Sequence, residues 1–169
     1  MRPMILLLAL PLLAAAPQEQ PTSCPTPAAA LPAELAGWKT GLSLAAATDR
    51  NSLAHTRLKL GLRSEVMLAA TDTVRYVVAP TKPAEPASQS GMLGFTVARA
   101  GTYRVALGTA AWIDVVKGRN ALESIAHSHG PACSGIRKLV DFKLTPGRYV
   151  LQIEGSKDSA TPVLITRLS

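Results

Sequence analysis

Aromatic side chains are scarce in this chain, with two Trp, three Tyr and two Phe among 169 residues. A core here must therefore be filled by Leu, Val, Ile and Ala. Acidic residues number 11 against 18 Lys and Arg and stand singly along the chain, which argues against paired carboxylates for general acid–base work. The basic surplus, formally +7, is equally dispersed and never forms a run of three. The patch or arm of a nucleic-acid binder is not seen; such a surface is solvated and weakly attracts anionic polymers or lipid head groups. No Gly-x-Ser-x-Gly elbow occurs, and after the first 16 residues no apolar run is long enough to span a bilayer.

What is present begins with an export signal. Met1-Arg-Pro-Met4 precedes an apolar block from Ile5 to Leu13 and then Ala14-Ala15-Ala16, the basic start, short apolar centre and small residues of a secretory signal peptide. The block is too short to remain as a transmembrane helix. Cleavage near Ala16 predicts a periplasmic or secreted protein with no transmembrane segment. The two cysteines, Cys24 and Cys133, would then sit in an oxidising space, where an even count reads as one disulfide. That bridge closes a loop of more than a hundred residues and contributes ~4–5 kcal/mol in the chain-entropy model. Lipidation of Cys24 is the competing reading; it lacks an apolar residue three positions upstream.

Residues 17–40 form a leader rich in Pro and Ala, in which Pro32-Ala-Glu-Leu-Ala-Gly37 suits one helical turn. Trp38 follows and reads as a plug over one end of the core, with an exposed sugar platform as the alternative. Residues 41–169 form one domain. Leu58, Leu60 and Leu62 alternate with Arg57, Lys59 and Arg63, predicting a strand with one wet face, and Val66–Ala70 and Val74–Val78 read as two more strands. Pro80 to Ser90 is a surface loop. Gly118-Arg119-Asn120 is a hairpin turn from which residues 121–127 return.

The most informative stretch contains one pattern twice. Phe95-Thr-Val-Ala-Arg-Ala-Gly101-Thr-Tyr103-Arg-Val-Ala-Leu107 and Phe142-Lys-Leu-Thr-Pro-Gly147-Arg-Tyr149-Val-Leu-Gln-Ile153 each read as a strand, a glycine turn and a returning strand. In both, a Tyr stands two residues after the Gly and apolar residues recur at every second position. Tyr103 and Tyr149 are expected at equivalent corners, rings packed and hydroxyls bonded to nearby backbone. About eleven short strands, close turn signals and no amphipathic helix predict an all-β fold, an antiparallel two-sheet β-sandwich of jelly-roll-like form.

This pairing of phrases over residues 91–155 resembles the second half of secreted jelly-roll modules, the carbohydrate-binding modules and bacterial pre-peptidase C-terminal domains. The resemblance implies a sandwich whose relatives bind sugar through exposed aromatics or a calcium site on their loops. A second run, Gly101-Thr-Tyr-Arg-Val-Ala-Leu-Gly108 with Ala111-Trp-Ile-Asp-Val-Val116 and His127-Ser-His-Gly-Pro-Ala-Cys-Ser-Gly-Ile-Arg-Lys138, resembles short exported bacterial chains labelled homogentisate 1,2-dioxygenase. That label implies iron held by two His and a Glu in a cupin. Enzymes of that activity are cytoplasmic and far longer, and this chain has only His55, His127 and His129, so its residues do not support the label.

The one polar cluster that suggests chemistry is His127, His129 and Cys133. Two His at spacing two on an extended segment project to one side and suit a shared metal ion, with His55, Asp114 or Asp141 as a third ligand. A bridged Cys133 is not a thiolate and leaves the set; the alternative is that the His residues cap a loop fastened by the disulfide. Ser128 and Ser134 are candidate nucleophiles without an assignable acid partner. Arg137-Lys138 suits an anion held beside His129. The sequence thus predicts a non-catalytic accessory or ligand-binding protein of the cell envelope, without a cofactor, its surface formed by Trp112, His129 and Arg137 and its partner an envelope ligand or protein. The alternative is a small metalloprotein holding one transition-metal ion at His127 and His129, a dioxygenase-like oxidoreductase if it is an enzyme at all.

Overall fold

The two copies of the repeated pattern pair with each other. In the computed structural model, which describes Cys24, residues 30–39 and residues 41–168, Tyr149 lies opposite Phe95 in one sheet and Tyr103 lies opposite Phe142 in the other. Each copy contributes one strand to each sheet. The glycine of each copy is therefore a corner between sheets, where the sequence suggested a simple strand-and-return. At both corners the Tyr hydroxyl donates to the carbonyl four residues upstream, Tyr103 to Arg99 at 2.8 Å and Tyr149 to Thr145 at 2.7 Å. The expected corner role of both tyrosines holds.

Among the described residues, eleven strands build an all-β sandwich: β1 Gly41–Ala45, β2 Arg63–Met67, β3 Ala69–Ala70, β4 Gln89–Val97, β5 Gly101–Leu107, β6 Trp112–Lys117, β7 Asn120–Ala121, β8 Ala126–Ser128, β9 Lys138–Leu144, β10 Gly147–Ser156 and β11 Ala160–Arg167. The first sheet runs β1-β2-β11-β5-β9-β8 and the second β3-β4-β10-β6-β7. All pairings are antiparallel except β1 with β2. The central orders β2-β11-β5-β9 and β4-β10-β6-β7 arise because the chain keeps crossing between sheets, as in a jelly roll.

Strand side chains alternate between faces, and the inward positions carry the core. Leu93, Phe95 and Val97 of β4, Val140, Phe142 and Leu144 of β9, and Tyr149, Leu151 and Ile153 of β10 are all buried there. Phe95 and Tyr149 stack with centroids 5.3 Å apart. The outward positions are not all wet. Ala106, Leu139 and Leu164 on the outside of the first sheet are covered by a 3-10 helix at Ala33–Trp38, which adds Leu35 and Trp38. Trp38 thus seals an outer face, not an end of the main core, and its indole N–H donates to the Ser134 carbonyl at 3.0 Å. Gly37 is required at this contact, because a Cβ there would stand 1.9 Å from the Gly61 carbonyl oxygen.

Three expected strands are not formed as such. Residues 57–62 make a single bridge to β4, Arg57 with Gly94, where the Leu58 amide donates to the Gly94 carbonyl at 2.9 Å; Leu58 and Leu60 still pack in the main core, and Gly61 at φ 78 turns the chain before β2 begins. Residues 74–78 lie irregularly over the second sheet, where Val74, Tyr76 and Val77 pack on Met92 and Val150. They are apolar because they cover a sheet. Of residues 121–127, Ala121 stays paired with β6 and the Leu122 amide donates to the Val115 carbonyl at 2.8 Å; the chain then leaves the second sheet and joins the first as β8. The expected signal peptide at 1–16 and most of the expected leader lie outside the described residues.

Candidate functional site

The crossing from β7 to β8 bridges the sandwich where both sheets end, β7 closing one and β8 the other. No further strand among the described residues covers this side, and a cavity of about 830 Å³ opens there. Its apolar lining comes from core positions reached from the edge: Ile113 of β6, Leu122 of the crossing, and Val140 and Phe142 of β9. Its polar lining includes Thr81, Trp112, Asp114, His127, His129, Arg137 and Lys138.

The sequence-predicted residues meet here. Trp112, at the start of β6, is 41% exposed, and its indole N–H donates to the Thr81 hydroxyl at 2.9 Å and the Asp114 carboxylate at 3.1 Å. Asp114 also accepts the Thr81 amide at 2.8 Å. The 80–90 loop is thereby fastened to β6, and the ring is held in one orientation. His127 pairs with Val140 and so shares its inward face. His129 follows by alternation and also lines the cavity. Its Nδ1 donates to the Arg137 carbonyl at 3.2 Å, which leaves Nε2 as the free nitrogen.

The remaining candidates are placed elsewhere. Cys133 is bonded to Cys24, with Cα atoms 5.5 Å apart, so its sulfur is unavailable as a ligand. Asp141 points to the outer face of the first sheet, where Arg104 grips both its oxygens at 2.8 Å; that pairing holds the guanidinium above its ordinary value. His55 ends a 3-10 helix at Ser52–His55 and does not line the cavity. Ser134 is spent on its loop, donating to Pro131 at 2.6 Å and accepting the Ile136 amide. Among the described residues, no group of three or more His, Cys, Asp or Glu is arranged to hold a metal ion.

Two cations lie against the Trp112 ring. Lys82 Nζ lies 5.5 Å and Lys138 Nζ 5.4 Å from the ring centroid, within cation–π range. Lys138 also donates to the Ala111 carbonyl at 2.7 Å. Burial, followed by the charge of Lys82, pushes its ammonium below the usual lysine range. Lys82 was not foreseen: it is a lone Lys in a Pro-rich loop, and only the fastening of Thr81 to Asp114 brings it to Trp112. The chain matches no protein-family model and no curated relative.

Proposed function

We propose that this chain is an exported, non-catalytic ligand-binding module of the cell envelope, with its site in the cavity between Trp112 and His129. One observation supports this most: a cavity of about 830 Å³ with an apolar floor and a few convergent polar groups, the size and make-up of small-molecule sites. The groups around it are arranged for holding. Asp114 is saturated by Thr81 and Trp112, and His129 is tied to backbone. Export rests on the pattern of residues 1–16. Mass spectrometry of the exported protein, native and then denatured without reductant, tests the reading. An organic mass should be lost on denaturation and be missing from Ser124→Trp, which narrows the mouth at an exposed position. If Ser124→Trp retains that mass, or if native protein neither carries nor takes up small amphiphiles, the reading fails.

A second reading, a metalloprotein, is favoured by the fact that His127 and His129 face one cavity. A native mass carrying one metal ion, removed by the double change His127→Ala and His129→Ala, would establish it in place of the first.

A further inference from the structure

Arg137 and Lys138 line this cavity, Lys82 lies against the Trp112 ring that also lines it, and none of the three is paired with an acid among the described residues. The ion pairs among those residues are Arg63 with Glu65, and Arg104 with Glu34 and Asp141. Lys82 and Lys138 approach the same indole and repel each other, and part of the water around Lys138 has been stripped away by burial. Removing a cation from water without a counterion costs free energy, and the Ala111 carbonyl, a neutral acceptor, offsets it only in part.

The acids at the site do not supply the counterion. Asp114 lines the cavity, but its oxygens already accept the Thr81 amide, the Thr81 hydroxyl and the Trp112 indole. Glu123, exposed on the crossing to β8, lines the cavity too but makes no ion pair among the described residues. Glu154, buried near Lys138, is pushed up to about 9 by burial and then by Asp114, so it is neutral at physiological pH. Beneath these groups the floor is aliphatic and aromatic, Ile113, Leu122, Val140 and Phe142.

We propose that the ligand is an anionic amphiphile, an alkyl or acyl chain lying on Ile113, Val140 and Phe142 with its carboxylate or phosphate head held by Lys82, Arg137 and Lys138 beside Trp112. The inference rests on the cavity being the binding site and adds the chemical class of its occupant. An apolar chain gains by leaving water for such a floor, and an anion supplies the counterion that these ammonium and guanidinium groups lack. The cation–π contacts already hold both lysine heads at the ring, so little ordering remains to be done on binding.

Calorimetric titration of the full exported chain with octanoate, octyl phosphate, octylamine and octanol tests this. The four share one chain and differ in the head. Octanoate or octyl phosphate should bind about tenfold tighter than octanol, and octylamine no better than octanol. Which of the two anions binds tighter identifies the head. In the double variant Lys82→Gln and Arg137→Gln, both exposed positions, the advantage of the anion should fall towards unity while octanol affinity holds. Lys138→Gln should act in the same direction. If octanol and octylamine match the anions on the native chain, the charge assignment is wrong and the cavity reading survives. If the anion preference persists in the variants, the head is held elsewhere and the inference falls. If none of the four binds, the cavity reading falls with it.

Discussion

Gln152 Nε2 donates to Glu154 Oε1 at 3.4 Å across the outward face of β10, while Glu154 Oε2, fully buried, has no hydrogen-bond partner among the described residues. The same Gln152 accepts the Val77 and Val78 amides at 3.0 and 3.2 Å and donates to the Val78 carbonyl, so it fastens the covering segment. Glu154 therefore sits beneath that cover, beside Asp114, in a place hostile to its ionised form.

A pH dependence of stability follows. The Glu154 carboxyl is raised from 4.5 to about 9 in the fold, so between those values the unfolded chain gives up a proton that the folded chain keeps. Folding stability should fall as pH rises through this window, by about 1.4 kcal/mol per pH unit for one group. Below the window both states are protonated and the penalty vanishes. The nearby Lys138 opposes the shift but is outweighed by burial. Denaturant melts of Glu154→Gln should show a gain on the order of 2–3 kcal/mol at pH 7 and a flatter profile. An unchanged profile would mean that Glu154 is ionised in the fold.

The corner tyrosines should respond in parallel. Tyr103→Phe and Tyr149→Phe each remove one hydroxyl donor to a carbonyl four residues back. Each should cost about 0.5–1.5 kcal/mol, read by chemical denaturation, with the fold intact. Tyr149 has an extra partner in the Thr145 amide at 3.1 Å, so its loss should be the larger. Equal or reversed losses would contradict this.

The disulfide should matter more for stability than for the shape of the sandwich. Cys24 and Cys133 are 109 residues apart in sequence, and removing both with Ser should lower stability by up to about 4–5 kcal/mol. Ser134, next to Cys133, accepts the Trp38 indole N–H through its carbonyl, so the change should also loosen the Ala33–Trp38 helix on the first sheet. Protease sensitivity near residues 30–39, compared with that of β4 to β6, would reveal this.

Much of the architecture was legible because it depends on local periodicity. The alternation in Phe95–Leu107 and Phe142–Ile153, the Tyr after each Gly, and the hairpin at Gly118 are short-range patterns set by strand geometry. Cys24 and Cys133 were readable as a pair because two cysteines allow one intramolecular bridge. Val74–Val78 misled for the opposite reason: apolar residues that cover a sheet from outside resemble those inside one. Trp38 was misplaced likewise, and while Leu58 and Leu60 do reach the main core, Leu62 is left exposed, since nothing local tells which surface an apolar side chain will meet.

The sequence by itself determined the all-β class, the strands of the doubled pattern, the tyrosine corners and the gathering of Trp112, His127, His129 and Arg137 at one region. Tertiary structure alone decided that each copy spans both sheets, that Asp141 turns away to Arg104 while Asp114 stays, and that Lys82 and Lys138 come to the same Trp112 ring. The physical reason is range. Backbone geometry and side-chain alternation act over a few residues and leave their mark in the sequence, whereas the meeting of Lys82 with Lys138 depends on how distant strands and a loop close around a shared edge.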